Sequence, residues 1–307
     1  MDPISASVVV PTFNRLAHLK QTIRALEKQH LEPDAFEVIV VDDGSTDGTA
    51  AYLKNYSGPL NLHPLILTSN MGRPSARNRG AERAAGDVLI LIDGDVRFGT
   101  GFIDGHLAHH RGSKAVVVGR VIYGREKRGR GYARYLETRG AVKLKAGASV
   151  PGRYFLSGNA SIPSGLFRRM GGFDERFVVY GEDIDFGMRL ESAGVKLKFD
   201  PHLKVEHLHL RSIDAALDLA GRYGESSVPM LLEKHPTLHS QLKLDWLEGS
   251  GILRWMRRLL LSEPVFRLLK GAVKCLDRFA APAFLYDYLL FRSYFKGYEK
   301  SRTRRAY

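Results

Sequence analysis

The first hundred residues switch repeatedly between two hydrophobic periods. Ser7-Val8-Val9-Val10 is a short apolar run closed by Pro11, and Glu37-Val38-Ile39-Val40-Val41 is a second that opens into Asp42-Asp43-Gly44-Ser45; both predict buried strands. Leu65-Ile66-Leu67 predicts a third strand and Val88-Leu89-Ile90-Leu91-Ile92 a fourth. Between them Leu16, Leu19, Ile23 and Leu26 recur at helical spacing. Residues 46–56 read as a helix with Ser45, Thr46 or Asp47 available as its N-cap, and residues 74–85 as a helix stopped by Gly86. Strands alternating with helices imply a largely parallel sheet with both faces covered.

After Gly99 the pattern loosens. A helix over 102–110 precedes a strand over 115–118, and residues 158–169 and 171–177 read as compact loops around a short helix. A helix over 183–192, closed by Gly194, leads to strands over 195–199 and 204–208. Everything from Ile213 onwards reads helical, and no internal repeat is visible.

The 307 residues, 44% hydrophobic and 10% aromatic, suffice for one large domain or two modest ones and exclude disorder as the main state. Cys275 is the single cysteine, so no intramolecular disulfide can form, which suits a reducing compartment. Met1-Asp2-Pro3 lacks a signal-peptide charge pattern, and no run approaches the ~18 apolar residues of a spanning helix. The longest candidate, 279–291, carries Asp287. The expectation is a cytoplasmic protein, soluble or peripheral on the cytoplasmic face of a membrane. Net charge is +13, and residues 251–307 hold 13 Lys/Arg against 4 Asp/Glu, so +9 of it lies in the last helices. Such a tail points to an anionic partner: membrane lipid, nucleic acid or a phosphorylated acceptor.

Candidate chemistry gathers at strand ends. Open parallel sheets bind ligands outside the carboxyl ends of their strands, and three such ends carry oxygen-bearing side chains: Thr12 and Asn14, Asp42 and Asp43, Asp93 and Asp95. Each pair alone fits an ordinary polar turn. Three on one rim suit a ribose, a base edge and a hard cation with phosphates. In Asp93-Gly94-Asp95 the glycine lets the backbone turn while both carboxylates face outward, one for a divalent ion and one for sugar hydroxyls.

Several motifs recur in a telling order and spacing. They are Val8-Val9-Val10-Pro11-Thr12-Phe13-Asn14-Arg15, Val40-Val41-Asp42-Asp43-Gly44-Ser45-Thr46-Asp47-Gly48-Thr49, Asn70-Met71-Gly72, Ala76-Arg77-Asn78-Arg79-Gly80, Gly86-Asp87 and Asp93-Gly94-Asp95. Together they resemble family 2 glycosyltransferases, from Ser7 to about His209. The resemblance implies an α/β fold of the GT-A type, a Rossmann-like nucleotide-binding mixed sheet flanked by helices, here with a C-terminal helical extension. It implies that Pro11 and Thr12 line a base pocket, with Asn14 and Gly94 also at the nucleotide sugar. Asp42 or Asp43 would hold the base or ribose, Asp93 the ribose and Asp95 a metal. Arg77 would lie near base or phosphates, a helix-surface arginine being the plain alternative.

Gly158-Asn159-Ala160-Ser161 and Gly171-Gly172-Phe173-Asp174-Glu175-Arg176-Phe177 resemble acceptor-side loops of inverting galactosyl- and N-acetylhexosaminyltransferases, which places Asn159 and Tyr180 near acceptor or donor sugar. In that family the aspartate of the Glu182-Asp183 pair is the usual general base, and a helix start favours its ionised form. Asp185, four residues before Arg189, predicts a helix ion pair. The family also supplies a metal-binding histidine after a valine-rich strand, which fits His207 better than His209. With Asp95, diphosphate oxygens and water, it would suit Mn2+ or Mg2+.

The expected bounds are 1–100 for the nucleotide-sugar half, 101–212 for the acceptor and base half, and 213–307 for basic amphipathic helices. The expected reaction is an inverting transfer from a nucleoside-diphosphate sugar, UDP by default with dTDP and GDP open, to a hydroxyl of a glycan or lipid-linked acceptor. In the tail, Leu253, Met256, Leu259 and Leu260 recur beside Arg254, Arg257 and Arg258; Phe266, Leu269 and Val273 recur beside Arg267, Lys270 and Lys274. Aromatic residues follow at Phe284, Tyr286, Tyr288, Phe291, Tyr294 and Phe295. This fits an anionic membrane surface, or a bundle packed on the catalytic domain or on a second copy in a homodimer. Residues 120–145, with nine Lys/Arg and two Glu, predict a mobile loop with some helix, either a clamp for an acidic acceptor or plainly solvated.

Rival classes lack their signatures. A dinucleotide oxidoreductase needs a glycine-rich turn after its first strand, and Val10-Pro11-Thr12-Phe13-Asn14-Arg15 has none. A nucleotidyltransferase would show a glycine-rich phosphate loop near its N-terminus. A non-catalytic nucleotide-sugar-binding protein could dispense with the base, yet Glu182-Asp183 is intact. Nucleic acid has only the tail's charge in its favour.

Overall fold

The computed structural model describes residues 5–113, 115–124, 130–247, 251–279 and 281–305. The first part of the chain runs β1 (Ala6–Thr12), α1 (Leu16–Leu26), β2 (Phe36–Asp42), α2 (Thr49–Lys54), β3 (Leu62–Ile66), α3 (Arg73–Arg83), β4 (Val88–Ile92), β5 (Val96–Arg97), α4 (Phe102–Ala108) and β6 (Val116–Tyr123). Then come α5 (Arg130–Leu136), β7 (Asn159–Pro163), α6 (Ser164–Arg169), α7 (Glu182–Ser192) and β8 (Leu197–His207). The remainder is α8 (Ile213–Lys234), α9 (Leu238–Gln241), α10 (Ile252–Leu260), α11 (Glu263–Leu276) and α12 (Ala283–Arg305).

One sheet of order β3-β2-β1-β4-β7-β6-β8-β5 organises these elements. Strands β1 to β4 are parallel, as their separating helices require. β7 reverses the direction, pairing antiparallel with both β4 and β6, so the sheet is mixed rather than largely parallel. The sequence reads β7 as loop because Asn159 and Ser161 interrupt its apolar run. Both are fully buried, and imidazoles satisfy them: Ser161 Oγ lies 2.9 Å from His106 Nδ1 and 2.8 Å from His110 Nε2. The two strands expected over 195–199 and 204–208 are one, β8, whose pairing with β6 slips at Gly119/Arg120.

Alternation along the strands builds a core on each face. Val9, Ile39, Val41, Leu89 and Leu91 pack with Phe155, Phe167, Phe173 and Phe186 on one side. Val8, Val10, Val38, Val40, Ile90 and Ile92 pack with Leu19, Ile23 and Phe102 on the other.

The chain divides into two compact units. Met1–Gly124, Arg139–Arg176 and Glu182–His209 form the first; Arg125–Thr138, Phe177–Gly181 and Leu210–Tyr307 form the second. Within the second, α8 and α12 cross at glycines: a Cβ on Gly224 would collide with the Tyr294 carbonyl, and one on Gly297 with that of Gly221. Tyr132, Tyr135, Phe266, Val273, Tyr286 and Leu289 fill an interior beside this crossing. The apolar residues expected to edge a membrane at Phe266, Val273, Tyr286 and Phe295 are therefore buried within the bundle. Phe284 stays exposed, as do Met256, Leu259 and Leu260 of α10. The side chains of Leu253 and Arg254, and residues 125–129 of the basic stretch, lie outside the described residues. Of that stretch, Arg130–Leu136 is helix α5, a helix such as the sequence led one to expect within it. Among the described residues no helix is long and apolar enough to cross a membrane.

Candidate active site

The neighbouring strands β1 and β4 end at Thr12 and Ile92, and the chain turns at Asp93-Gly94-Asp95. Gly94 presses on β1, where a Cβ would lie 2.7 Å from the Pro11 carbonyl oxygen and 3.3 Å from Thr12 Cβ, so only glycine fits. β5 then pairs with β8, Val96 opposite His207, and this returns the imidazole to the two carboxylates. His207 Nε2 is 3.2 Å from Asp93 Oδ2, and Nδ1 is 3.4 Å from Asp95 Oδ1. Tyr123, register partner of His207, stacks on its ring at 5.7 Å. His209 turns to His18 instead, with ring centroids 6.2 Å apart.

One ligand atom from each of Asp93, Asp95 and His207 lies within 4.8 Å of the others. Two carboxylates and one imidazole, with no thiolate, are a donor set for a hard or borderline divalent ion such as Mn2+ or Mg2+. The residues fit such an ion. Asp93, expected at the ribose, thus stands together with Asp95 and His207. Burial opposes its ionisation, but the His207 hydrogen bond and the charges of Arg77, His207 and Arg73 outweigh that and hold its carboxyl well below the usual range.

Arg77 is not the helix-surface arginine of the plain alternative, being only 1% exposed. Its Nη2 is 2.6 Å from Asp93 Oδ1 and its Nη1 3.7 Å from Glu182 Oε1; Arg73, one turn earlier on α3, reaches the same Glu182 oxygen at 3.3 Å. Glu182, 2% exposed, is thereby a counter-ion to two guanidiniums.

Asp183 differs. Its Oδ2 accepts the Ser157 N–H at 3.1 Å, while its Oδ1 is buried with no hydrogen-bond partner among the described residues. Burial and the adjacent Glu182 charge push its carboxyl up to about 6, against the opposing pull of Arg77, Ser157 and Arg73. Gly158, the next residue after Ser157, touches Asp93: a Cβ there would lie 2.7 Å from Asp93 Oδ2. One backbone turn therefore separates Asp183 from the cation cluster. Asp185 makes the expected pair with Arg189 at 2.9 Å.

The nucleotide-side residues lace loops together. Asp43 accepts from the Met71 and Gly72 amides at 2.8 and 2.9 Å, and burial pushes its carboxyl up. Asp42, fully buried, accepts from Ser45 N at 3.1 Å. Asn14, at φ +50°, accepts from Thr46 N at 2.8 Å and donates its own amide to Ser45 Oγ at 2.8 Å. Asp42 is thus a turn former with no surface to offer a ligand, and Asp43 has both oxygens engaged. Thr12 Oγ1 is buried with no hydrogen-bond partner among the described residues.

Asn159 is likewise corrected. Fully buried, it bonds His106 Nε2 at 3.1 Å through Oδ1 and donates Nδ2 to the carbonyls of Arg120 at 3.1 Å and Leu203 at 2.8 Å. It ties β7 to β6 and β8 and has no exposed surface. Tyr180, at φ +49°, belongs to the second unit, where its hydroxyl accepts from Arg211 at 2.9 Å. Sequence reasoning named Gly158 only as part of an acceptor-side motif and missed Arg73, Ser157 and Tyr123. Only Arg73 left a signal, four residues before Arg77 on one helix face; the others act through backbone or ring position.

The family model for glycosyl transferase family 2 matches residues 7–171, more than half of the chain, and the chain belongs to that family. It is 30% identical over 274 residues to validoxylamine A glucosyltransferase of Streptomyces hygroscopicus subsp. limoneus, covering 77% of this chain and 58% of that protein. The chain spans about three fifths of the length of the curated relatives it matches. Mannosyltransferase PcManGT from Pyrobaculum calidifontis, solved with GDP-Man and Mn2+, superposes with a TM-score of 0.63 at 17% identity, covering 98% of this chain and 88% of that one. S. aureus TarS 1–349, solved with UDP-GlcNAc, gives 0.56 at 18% identity, covering 98% and 92%. The fold is the GT-A fold. Glu182-Asp183 and His207 lie beyond the segment that the family model matches.

Proposed function

We propose that the chain is an inverting hexosyltransferase that moves a sugar from a nucleoside-diphosphate donor to an acceptor hydroxyl, with Asp183 as general base. The observation that carries this is the placing of Asp183 and Asp93 on either side of the Ser157–Gly158 turn, Asp183 keeping one oxygen without a partner. Asp183 Oδ1 accepts the acceptor's proton as the hydroxyl oxygen bonds to the anomeric carbon, and the bond from that carbon to the diphosphate breaks with its electron pair on the phosphate. No covalent enzyme intermediate forms, so configuration inverts. Glu182 serves the arrangement differently, its Oε1 facing the Arg73 and Arg77 guanidiniums.

Asp93, Asp95 and His207 would hold a divalent cation, Mn2+ or Mg2+, which would offset charge on the leaving diphosphate. The loops laced by Asp43 and Asn14 leave Phe13 and Met71 exposed beside them, apolar surfaces suited to a base. UDP is the preferred nucleotide, with GDP and dTDP as the alternatives, and a glycan or lipid-linked alcohol is the acceptor. A thermal-shift panel of UDP, GDP and dTDP sugars with and without Mn2+ tests the donor side. Stabilisation by one nucleotide only when Mn2+ is present is the expected result; a panel that moves nothing overturns the reading.

A further inference from the structure

Helix α10 wears its apolar residues outward. Ile252, Trp255, Met256 and Leu259 follow an i, i+3, i+4, i+7 spacing and are 74, 63, 54 and 51% exposed. The interiors around Tyr286 and around Val228 and Phe295 are built without them. The helix is nonetheless anchored. Leu261, directly after it, is buried with Val228, Leu244 and Phe295. Tyr288 donates to the Leu260 carbonyl at 2.8 Å, and Arg292 donates to that of Leu261 and pairs with Glu263. A fixed helix with four large apolar side chains in water is costly unless something covers them.

We propose that this face is an interfacial anchor for an anionic lipid bilayer. In this arrangement α10 lies in the plane of the surface, its apolar face at the acyl boundary and Arg258 at the phosphates. Charge selects this partner over a second copy. Residues 251–307 carry a net +9, and a two-fold contact through α10 would set two such tails against each other. An anionic surface instead attracts them, and a tryptophan beside arginines on a short amphipathic helix suits the headgroup layer. Because no described helix can span a bilayer, the contact is in-plane.

Flotation of the chain of residues 1–307 with phosphatidylcholine vesicles, and with vesicles that also contain phosphatidylglycerol, tests the proposal. The native chain should bind the anionic vesicles at least about tenfold better, and high salt should weaken that binding. Trp255→Ser combined with Leu259→Ser should abolish flotation, and Arg258→Glu alone should weaken it about tenfold or more. In a Trp246→Phe background, Trp255 emission should shift to the blue on anionic vesicles. Failure of the native chain to float, unchanged flotation of the variants, or a static Trp255 spectrum overturns the proposal. So does a lipid-free dimer that the double variant splits. Nucleotide-sugar thermal shifts of the double variant should match the native ones, so this test and that of the catalytic reading fail separately.

Discussion

Arg77 holds together the two halves of the site's charge. It lies between Asp93 and Glu182 with almost no exposure, so removing it leaves Asp93 to His207 and Glu182 to Arg73. Arg77→Met should lower stability in chemical denaturation by up to about 3 kcal/mol, because two carboxylates each lose a cationic neighbour while keeping another. A variant as stable as the parent refutes that account. Asp183→Asn should lower kcat by roughly 10²–10⁴-fold while leaving the nucleotide-sugar thermal shift intact. The pH profile has a definite sign. The base must be ionised to work and its carboxyl is pushed up to about 6, so turnover should fall as pH drops through 6 and level off above it. A rate independent of pH between 5 and 7 (roughly one unit on either side) would remove Asp183 from that role. Asp95→Asn should abolish the Mn2+ dependence of nucleotide binding, read in the same thermal-shift assay.

β7 shows what the sequence could and could not say. β1, β2 and β4 were legible because both faces of each are buried and the residues are nearly all aliphatic. The Asp93-Gly94-Asp95 rim followed from that. β7 was not legible, since a polar residue inside a sheet looks like loop until its partner is known. Here the partners are His106 of α4 and His110 of the turn that follows it, more than 50 residues away in sequence. Asn159→Ala would leave the Arg120 and Leu203 carbonyls and His106 Nε2 each short of a bond, at about 1–3 kcal/mol per buried group. The denaturation midpoint should drop, and Mn2+ affinity with it, because β8 carries both Leu203 and His207. Burial lowers the pKa of His106 to about 3 and of His110 to about 4, from 6.5. Their depressed values mean that the unfolded chain takes up protons first, so stability is full above pH 6.5 and declines as pH falls below it. Replacing His106 should flatten that decline in urea titrations.

At the scale of the molecule, the second unit is drawn from three stretches of chain, and the shortest, Phe177–Gly181, runs directly into Glu182-Asp183. Within that unit Ser227 bonds the Val179 carbonyl, Lys234 lies over Phe177 and Arg211 meets Tyr180. Removing 251–307 would strip Phe266, Val273, Tyr286 and Leu289 from Tyr132, Tyr135 and Leu217. The truncated chain should lose its cooperative melt and bind hydrophobic dyes, whereas a truncation that melts like the parent would show the unit to be dispensable. Charge told of a basic tail; it could not tell that Tyr132 and Val179 had been recruited to it, because periodicity is blind to which distant segments share an interior. The interleaving also limits how this architecture can be exchanged between relatives. A hybrid whose single crossover falls after residue 125 inherits some strands of the braid from one parent and the rest from the other. Viable chimeras need to trade all three stretches together.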